Sequence, residues 1–327
     1  MNWNKKKVLV TGAGGFIGSH LAERLVELGA DTRAFVHYNS LGKWGWLDHS
    51  EQAAEMEIYA GNITDRDSVN QAMKGVDVVF HLAALIGIPY SYHAPLSYVR
   101  TNVEGSLNVF QTALENDIEL VVHTSTSEVY GSAQYVPIDE NHPLQGQSPY
   151  SATKIGADKM AEAFHRSFEL PVITLRPFNT YGPRQSSRAV IPTIIAQCLE
   201  GDVIQLGNTS PTRDLNYVLD TVEGYIAAGC NQDAAGSVIN LGTGLEISIG
   251  DLAQKIADLM GKSITIKSKD ERLRPKNSEV NRLCAANERA DDLLGWKPYY
   301  SLSDGLKLTI DWIKNHNLMY RPDRYSI

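Results

Sequence analysis

The sequence predicts an α/β fold, a doubly wound parallel sheet with a smaller mixed α/β lobe toward the C-terminus. Three observations predict it. Short apolar runs alternate with segments of helical periodicity through the first half of the chain. A glycine-rich turn, Thr11-Gly-Ala-Gly-Gly-Phe-Ile-Gly18, joins the first run to the first helical segment. From Phe178 the alternation gives way to short strands, helices and proline turns.

The elements follow in order. Residues 7–10 form an apolar strand that stops at the glycines. Residues 19–29 place leucines and valine on one helical face and end on Gly29, a C-cap residue. Residues 32–36, 56–60, 76–81, 120–124 and 172–175 continue the strands, with helices expected over 103–116 and 151–168. Strands that are apolar throughout, rather than alternating, imply a sheet covered on both faces. Asn179-Thr-Tyr-Gly-Pro-Arg184 is loop chemistry. Residues 220–230 and 238–241 read as a late return to the sheet, 248–260 as an amphipathic helix and 302–315 as a closing one. No internal repeat or low-complexity linker is present.

A chain of 327 residues with 43% hydrophobic content can bury a large core. Its formal charge of -8 argues against nucleic acid and anionic membranes as partners, though not against a nucleotide substrate, which needs only a few local arginines. Cys198, Cys230 and Cys284 are isolated, without metal-like spacing, and read as reduced thiols. No metal site is expected. No signal peptide or membrane-spanning run is visible, and a cytoplasmic location is expected.

Gly12, Gly15 and Gly18 lie between a strand and a helix, where a Rossmann-type dinucleotide fold needs them. There the helix N-terminus offers unpaired N–H groups to a pyrophosphate. An NAD-binding sheet usually has an acid at the end of its second strand, but this chain reads Val36-His-Tyr-Asn-Ser40. Arg33, His37, Ser40 and Lys43 are placed instead to meet a 2′-phosphate, with a solvated loop as the alternative for His37. The expected cofactor is NAD(P), tilted slightly toward NADP. The chain then divides into a dinucleotide-binding body, 1–178 plus a return segment at about 216–242, and a substrate lobe of 179–215 and 243–327.

Ser148-Pro-Tyr-Ser-Ala-Thr-Lys154 supplies Tyr150 and Lys154 four residues apart, on one face of a helix that Pro149 helps to start. A phenol is a poor base at neutral pH, and an adjacent ammonium and a nicotinamide cation would stabilise its phenolate. Thr126 and Glu128 follow the strand at 120–124, whose C-terminal end borders the ligand crevice. The Thr126 hydroxyl can bond the same substrate oxygen as Tyr150, and Glu128 would be a carboxylate at the reacting centre. Alone, Glu128 reads equally well as a helix N-terminal acid.

The chain resembles the extended short-chain dehydrogenase/reductase family of nucleotide-sugar epimerases and dehydratases. The resemblance rests on TGAGGFIG at 11–18, HLAA at 81–84, NVEGSLNVF at 102–110, YSATK at 150–154, RPFNTYGPR at 176–184, RDLNYVLD at 213–220, NLGTG at 240–244 and LLGWKP at 293–298. It implies cofactor contacts at Phe16, Ile17, Asn62, Ile63, Leu82, Ala83 and Ala84 besides the glycines, Tyr150 and Lys154. His81 reads as structural. Thr126-Ser127-Glu128 is similar to the 4,6-dehydratase branch, and matches the Thr-Ser-Glu of GDP-mannose 4,6-dehydratases rather than the Thr-Asp-Glu of thymidine diphosphoglucose dehydratases. The wording at 34–46 looks most like bacterial dehydratases of nucleotide-linked N-acetylglucosamine in the legionaminic-acid pathway, which serves cell-surface polysaccharide synthesis.

The resemblance implies a self-contained reaction on a nucleotide-diphosphate sugar, with a tightly held cofactor regenerated each turnover. Tyr150 takes the 4-hydroxyl proton as hydride leaves carbon 4, and Glu128 takes the carbon 5 proton. Water leaves from carbon 6, its departing hydroxyl protonated by Glu128 or by a water on Ser127, and hydride returns to carbon 6. Asn179 and Arg184 are candidates for the diphosphate region, and Arg213 and Arg274 for phosphate by family analogy, each arginine having a surface salt bridge as its alternative. Trp44, Trp46 and Tyr90 offer faces to sugar or base, or simply pack. Two other functions fit parts of the pattern. A 4-epimerase would use Tyr150 and Lys154 without needing Glu128, and a non-catalytic cofactor-binding regulator would need none of the acid–base set. The resemblance also implies a homodimer, formed through the helices at 103–116 and 151–168.

Overall fold

The computed structural model describes residues 3–269 and 275–320. The strands are β1 (Lys7–Thr11), β2 (Asp31–His37), β3 (Glu57–Gly61), β4 (Val78–His81), β5 (Leu120–Thr124), β6 (Val172–Pro177), β7 (Asn179–Tyr181), β8 (Val203–Leu206), β9 (Thr212–Tyr217), β10 (Val238–Leu241), β11 (Glu246–Ser248) and β12 (Thr265–Ser268). The helices are α1 (Phe16–Glu27), α2 (Arg66–Met73), α3 (Ile88–His93), α4 (Pro95–Tyr98), α5 (Gly105–Glu115), α6 (Pro149–Phe168), α7 (Val190–Glu200), α8 (Val218–Gly229), α9 (Ile249–Leu259), α10 (Glu288–Leu294) and α11 (Leu302–Asn315).

Seven strands form one parallel sheet in the order β10-β6-β5-β4-β1-β2-β3. This is the doubly wound α/β architecture the sequence predicts. Alternate residues of each strand face opposite sides. Val8, Val10, Phe80 and Val122 pack under α1 and α8 with Leu21, Leu25 and Tyr225. Leu9, Val79 and Val121 pack on the other side with Val109 and Phe110 of α5 and Phe164 of α6. Both faces are covered, so no polar alternation appears in these strands. The order reverses between β1 and β4, and Thr11 stands beside His81 there. His81 in turn stands beside His123 of β5. The strand C-termini are therefore level, and the loops that follow them share one crevice.

Beyond β6 the chain builds two smaller sheets, β11-β9-β7 and β12-β8. Ile194 and Ile195 of α7, Leu252 and Ile256 of α9, and Leu306 and Ile310 of α11 form the core there. Residues 238–241 return to the main sheet as β10, paired with β6, while the preceding 218–229 is helix α8. No described helix is long and apolar enough to cross a membrane.

Two helices depart from the periodicity. Helix α1 begins at Phe16, three residues before the expected start, because Gly15 already accepts the Ser19 N–H at 3.1 Å. The glycine turn and the helix are thus continuous. The helix expected from Val103 begins upstream at Pro95 and passes through one π-helical turn, Val99–Glu104, before α5. Inside that turn the buried Asn102 amide accepts from Leu85 N at 2.8 Å and donates to Leu85 O at 2.9 Å. An unreciprocated bend in the β4 loop is thereby satisfied by a side chain from the helix.

Candidate active site

The glycine turn is shaped for close approach. A Cβ on Gly18 would stand 2.2 Å from the Gly12 carbonyl oxygen, and one on Gly14 would stand 2.4 Å from the Trp44 carbonyl oxygen. The loop after β2 therefore lies directly on the turn, and Trp46 N donates to Gly14 O at 3.0 Å. Helix α1 has no side-chain cap and no acid in its first turn. Among the described residues no side chain caps the N–H groups of its first turn at Phe16, Ile17 and Gly18, which fits a dinucleotide pyrophosphate there.

The walls of this crevice are set by His81 and Thr11. Thr11 Oγ1 accepts from Leu82 N and Ala83 N, each at 3.1 Å. Its hydroxyl proton is left for His81 Nδ1, 2.8 Å away, so Nε2–H points to Ser106 Oγ at 3.0 Å. Burial, with His123 and Lys154 nearby, holds the His81 pKa well below the ordinary imidazole value. A neutral histidine hydrogen-bonded through both ring nitrogens is structural: it orients the Thr11 hydroxyl, which holds the Leu82 and Ala83 N–H groups. Asn62 Oδ1 accepts from Thr64 N at 3.0 Å, and the carbonyl of buried Ile63 accepts from Asn108.

At the end of β2 the sequence reading needs a correction. Arg33 does not reach the cofactor loop: it donates to Glu57 at 2.7 Å and to the carbonyls of Ala72 and Lys74. Strand alternation puts it on the face covered by α2, against the C-terminal end of that helix. His37 is exposed, and Asn39 closes its own turn by accepting from Leu41 N and Lys43 N. Ser40 and Lys43 remain exposed on that turn.

Helix α6 starts in a capping box. Ser148 Oγ accepts from Ser151 N, Ser151 Oγ accepts from Ser148 N, and Pro149 takes the first helical position. One turn of the helix separates Tyr150 from Lys154, and both are buried. Lys154 Nζ donates to Thr124 O at 2.6 Å. Burial pulls its pKa down to about 8, opposed by the Asp158 carboxylate. Burial raises the Tyr150 pKa above that of a free phenol, the Thr126 hydrogen bond opposes this, and Glu128 adds to it. A cation beside Tyr150 is therefore needed before it can accept a proton.

Thr126, Ser127 and Glu128 lie on a single turn after β5. Thr126 Oγ1 caps it by accepting from Glu128 N at 3.2 Å. Glu128 is 8% exposed, and among the described residues its carboxylate makes no hydrogen bond or ion pair. An unpaired carboxylate on the turn beside a phenol is open to a ligand in the crevice. The edge of Tyr98 closes the other side of Tyr150, with ring centroids 6.3 Å apart.

The expected substrate residues divide. Asn179 has a buried Oδ1 without a partner among the described residues, an acceptor open to a ligand. Arg184 is committed elsewhere, donating twice to Glu23 at 2.9 and 3.0 Å and once to Ser19 of α1. Arg213 is 7% exposed and donates to Thr212 O at 2.8 Å, with Glu279 at 3.6 Å. Arg274 lies outside the described residues. Trp46 packs edge-on against Trp312, Tyr90 leans on Tyr98, and Trp44 is 38% exposed. The sequence reading passed over Arg188. Its exposed guanidinium reaches the space above Gly87 beside Tyr98, with a long 3.4 Å bond to Ser186. A lone arginine in a polar loop gave no periodic or spacing signal.

Comparison with known proteins places the chain in a family. The family model described as GDP-mannose 4,6 dehydratase matches residues 9–309. A UDP-N-acetyl-alpha-D-glucosaminuronate decarboxylase of Bacillus cytotoxicus is 33% identical, over 95% of this chain and 98% of its own. A UDP-glucose 4-epimerase of Mycolicibacterium smegmatis is 31% identical, over 94% of this chain and 99% of its own. Among solved structures, the dTDP-glucose 4,6-dehydratase DesIV of Streptomyces venezuelae, with NAD bound, superposes with a TM-score of 0.88 at 28% identity, covering 97% of this chain and all of its own.

Proposed function

Because this chain belongs to the GDP-mannose 4,6-dehydratase family of nucleotide-sugar enzymes, we propose that it is a 4,6-dehydratase acting on a nucleotide-diphosphate N-acetylglucosamine. The observation that carries the reading is Glu128, a free carboxylate on the same turn as Thr126 and beside Tyr150. Oxidation and reduction at carbon 4 need only one acid–base group, whereas elimination across carbons 5 and 6 needs a second.

Tyr150, bonded to Thr126, accepts the 4-hydroxyl proton, and Lys154 supplies the positive charge near it. Bound NAD(P) supplies the hydride acceptor. Glu128 then removes the carbon 5 proton, made acidic by the adjacent ketone, and Glu128 or a water on Ser127 protonates the hydroxyl leaving carbon 6; hydride returns to carbon 6 and a proton to carbon 5, which gives the 4-keto-6-deoxy sugar with the cofactor oxidised again. Asn179 Oδ1 and the exposed Arg188 guanidinium are offered to the substrate, with Arg213 and Arg274 for phosphate. The committed Arg184 instead ties the loop after β7 to α1. The substrate sits between a dinucleotide body, 1–178 with about 216–242, and a lobe made of 179–215 and 243–327.

Gly12, Gly15, Phe16, Ile17, Gly18, Asn62, Ile63 and Leu82 to Ala84 hold the cofactor in this reading, with His37 at its edge. NAD is bound in the S. venezuelae dehydratase structure, but here β2 runs out through His37-Tyr-Asn-Ser40 without an acid, and Ser40 and Lys43 favour a 2′-phosphate. The cofactor released on denaturing the purified protein identifies which form is held. The enzyme works in the cytoplasm as a homodimer through α5 and α6, beside which Leu96 and Val99 are 59% and 47% exposed.

The test is incubation with a panel of nucleotide sugars and mass analysis of the products. Loss of one water from an N-acetylglucosamine nucleotide supports the proposal. Unchanged mass with altered chromatography marks an epimerase, and loss of carbon dioxide from a uronic acid marks a decarboxylase.

A further inference from the structure

Behind the turn that carries Thr126, Ser127 and Glu128 lies a buried ion pair that the reaction itself does not use. Asp158, on α6 one turn beyond Lys154, is 5% exposed, and Arg176 of β6 is 4% exposed. Arg176 Nε and Nη2 donate to Asp158 Oδ2 at 3.1 and 3.0 Å. Ser125 Oγ donates to the same oxygen at 2.7 Å, and His123 Nε2 approaches Oδ1 at 3.3 Å. Burial pushes the Asp158 carboxyl up, but His123, Arg176 and Lys154 outweigh it and hold it charged.

Arg176 also reaches the other end of the turn. Its Nη1 donates to the Tyr130 hydroxyl at 3.0 Å, and its Cζ stands 4.9 Å over the Tyr130 ring. The Tyr130 hydroxyl donates onward to Asn240 Oδ1 at 2.7 Å. Ser125 immediately precedes Thr126, and Tyr130 closes the short helix that bears Glu128. We propose that the Asp158–Arg176 pair is a positioning clamp that pins both ends of the Ser125–Tyr130 turn and sets its register against the helix carrying Tyr150 and Lys154.

A buried ion pair is poor value for stability alone, since an apolar pair of similar volume does as well or better. It makes sense where two acid–base groups on one short turn must each meet a different atom of one substrate. Displacing such a group by an ångström costs on the order of 100-fold in rate. The two attachments act on different groups. The Ser125 bond sits next to Thr126, and so next to the first proton transfer. The Tyr130 bond sits two residues beyond Glu128, and so next to the second.

The assignment of separate steps rests on the dehydratase reading, and the experiment keeps the two apart. In single-turnover absorbance measurements on the full-length holoenzyme, Ser125→Ala should slow formation of the reduced nicotinamide by about 10- to 100-fold, and Ser125→Thr should restore most of it. Tyr130→Phe keeps the ring under Arg176 and removes only the hydroxyl. It should leave that first rate within about 3-fold but make the reduced nicotinamide persist, because carbon 5 proton removal is now slow. Both variants should speed amide hydrogen exchange within 125–130 and leave the central strands protected. If both slow the same step by the same factor, or the exchange of the turn is unchanged in folded protein, the clamp is overturned. If the wild-type protein releases no water from any nucleotide hexose, the dehydratase reading fails. The Ser125 arm and the exchange measurement then still decide the clamp.

Discussion

The indole of Trp46 stands edge-on to that of Trp312, ring centroids 5.3 Å apart, and so fastens the loop over the glycine turn to the last helix. Trp312 also stacks on His316 at 4.1 Å and meets the edge of Tyr320, whose hydroxyl donates to Gln185 O. Trp312→Ala should cost roughly 1–2 kcal/mol, the scale of a partly buried aromatic contact set. It should also let the cofactor leave during dialysis, because the loop resting on Gly14 loses its anchor. A lower Tm with undiminished cofactor retention would show that the loop does not hold the dinucleotide.

Tyr150→Phe removes the proton acceptor and leaves the glycine turn untouched. Turnover should fall at least ~100-fold, the scale of general acid–base catalysis, with the cofactor still bound. Near-normal activity in this variant would end the assignment of Tyr150.

Glu128→Gln should keep the fold, the cofactor and the first oxidation, since Thr126, Tyr150 and Lys154 are unchanged. An amide cannot take the carbon 5 proton, so reduced nicotinamide should accumulate and carbon 5 exchange with deuterated solvent should fall. Wild-type turnover on the true substrate would make Glu128 an ordinary loop acid.

Lys154 carries a pH-dependent stability cost. Its pKa is about 8 in the folded chain against 10.5 for a free side chain. Between those values the unfolded chain holds a proton that the folded chain does not, so this group makes stability rise with pH across that window. Below about pH 8 the cost is fully present, at most roughly 3 kcal/mol. Lys154→Met should therefore be inactive yet more stable than wild type at about pH 7, by roughly 1–3 kcal/mol. The gap should narrow as the pH approaches ~10, read from denaturant midpoints. An equal gap at both pH values would mean that the ammonium is not what burial penalises.

A dimer through α5 and α6 would cover Leu96 and Val99 on the adjoining turns. Sedimentation at micromolar concentration should give twice the 36.1 kDa chain mass. Leu96→Glu with Val99→Glu should shift it to the monomer. A wild-type monomer rules the interface out.

Much of this molecule is legible in its sequence because the signals are local. Tyr150 and Lys154 meet because a helix repeats every 3.6 residues, and the capping box that starts α6 lies within four residues. The glycines of 11–18 act on their own backbone. Strands such as Leu120–Thr124 are apolar on both faces, which already implies helices above and below. Local rules misplaced two boundaries: they put the start of α1 at Ser19 where it lies at Phe16, and the start of the helix leading into α5 at Val103 where it lies at Pro95. The missing information there was a backbone bond from Gly15 and an amide contact from Asn102 to Leu85.

The sequence by itself determined the doubly wound sheet, the cofactor turn and the tyrosine–lysine spacing. Only the tertiary structure decided which charges are free. Arg33 is taken by Glu57 on the neighbouring strand, and Arg184 by Glu23, 161 positions away. Asn179 and Glu128 are left with acceptors that nothing described satisfies. Asp158, Arg176, Ser125 and Tyr130 come from α6, β6 and the two ends of one turn, and no spacing rule connects them. Periodicity tells which face of an element is buried, but the partner of a buried polar group depends on which strands become neighbours, and that is settled only when the sheet assembles.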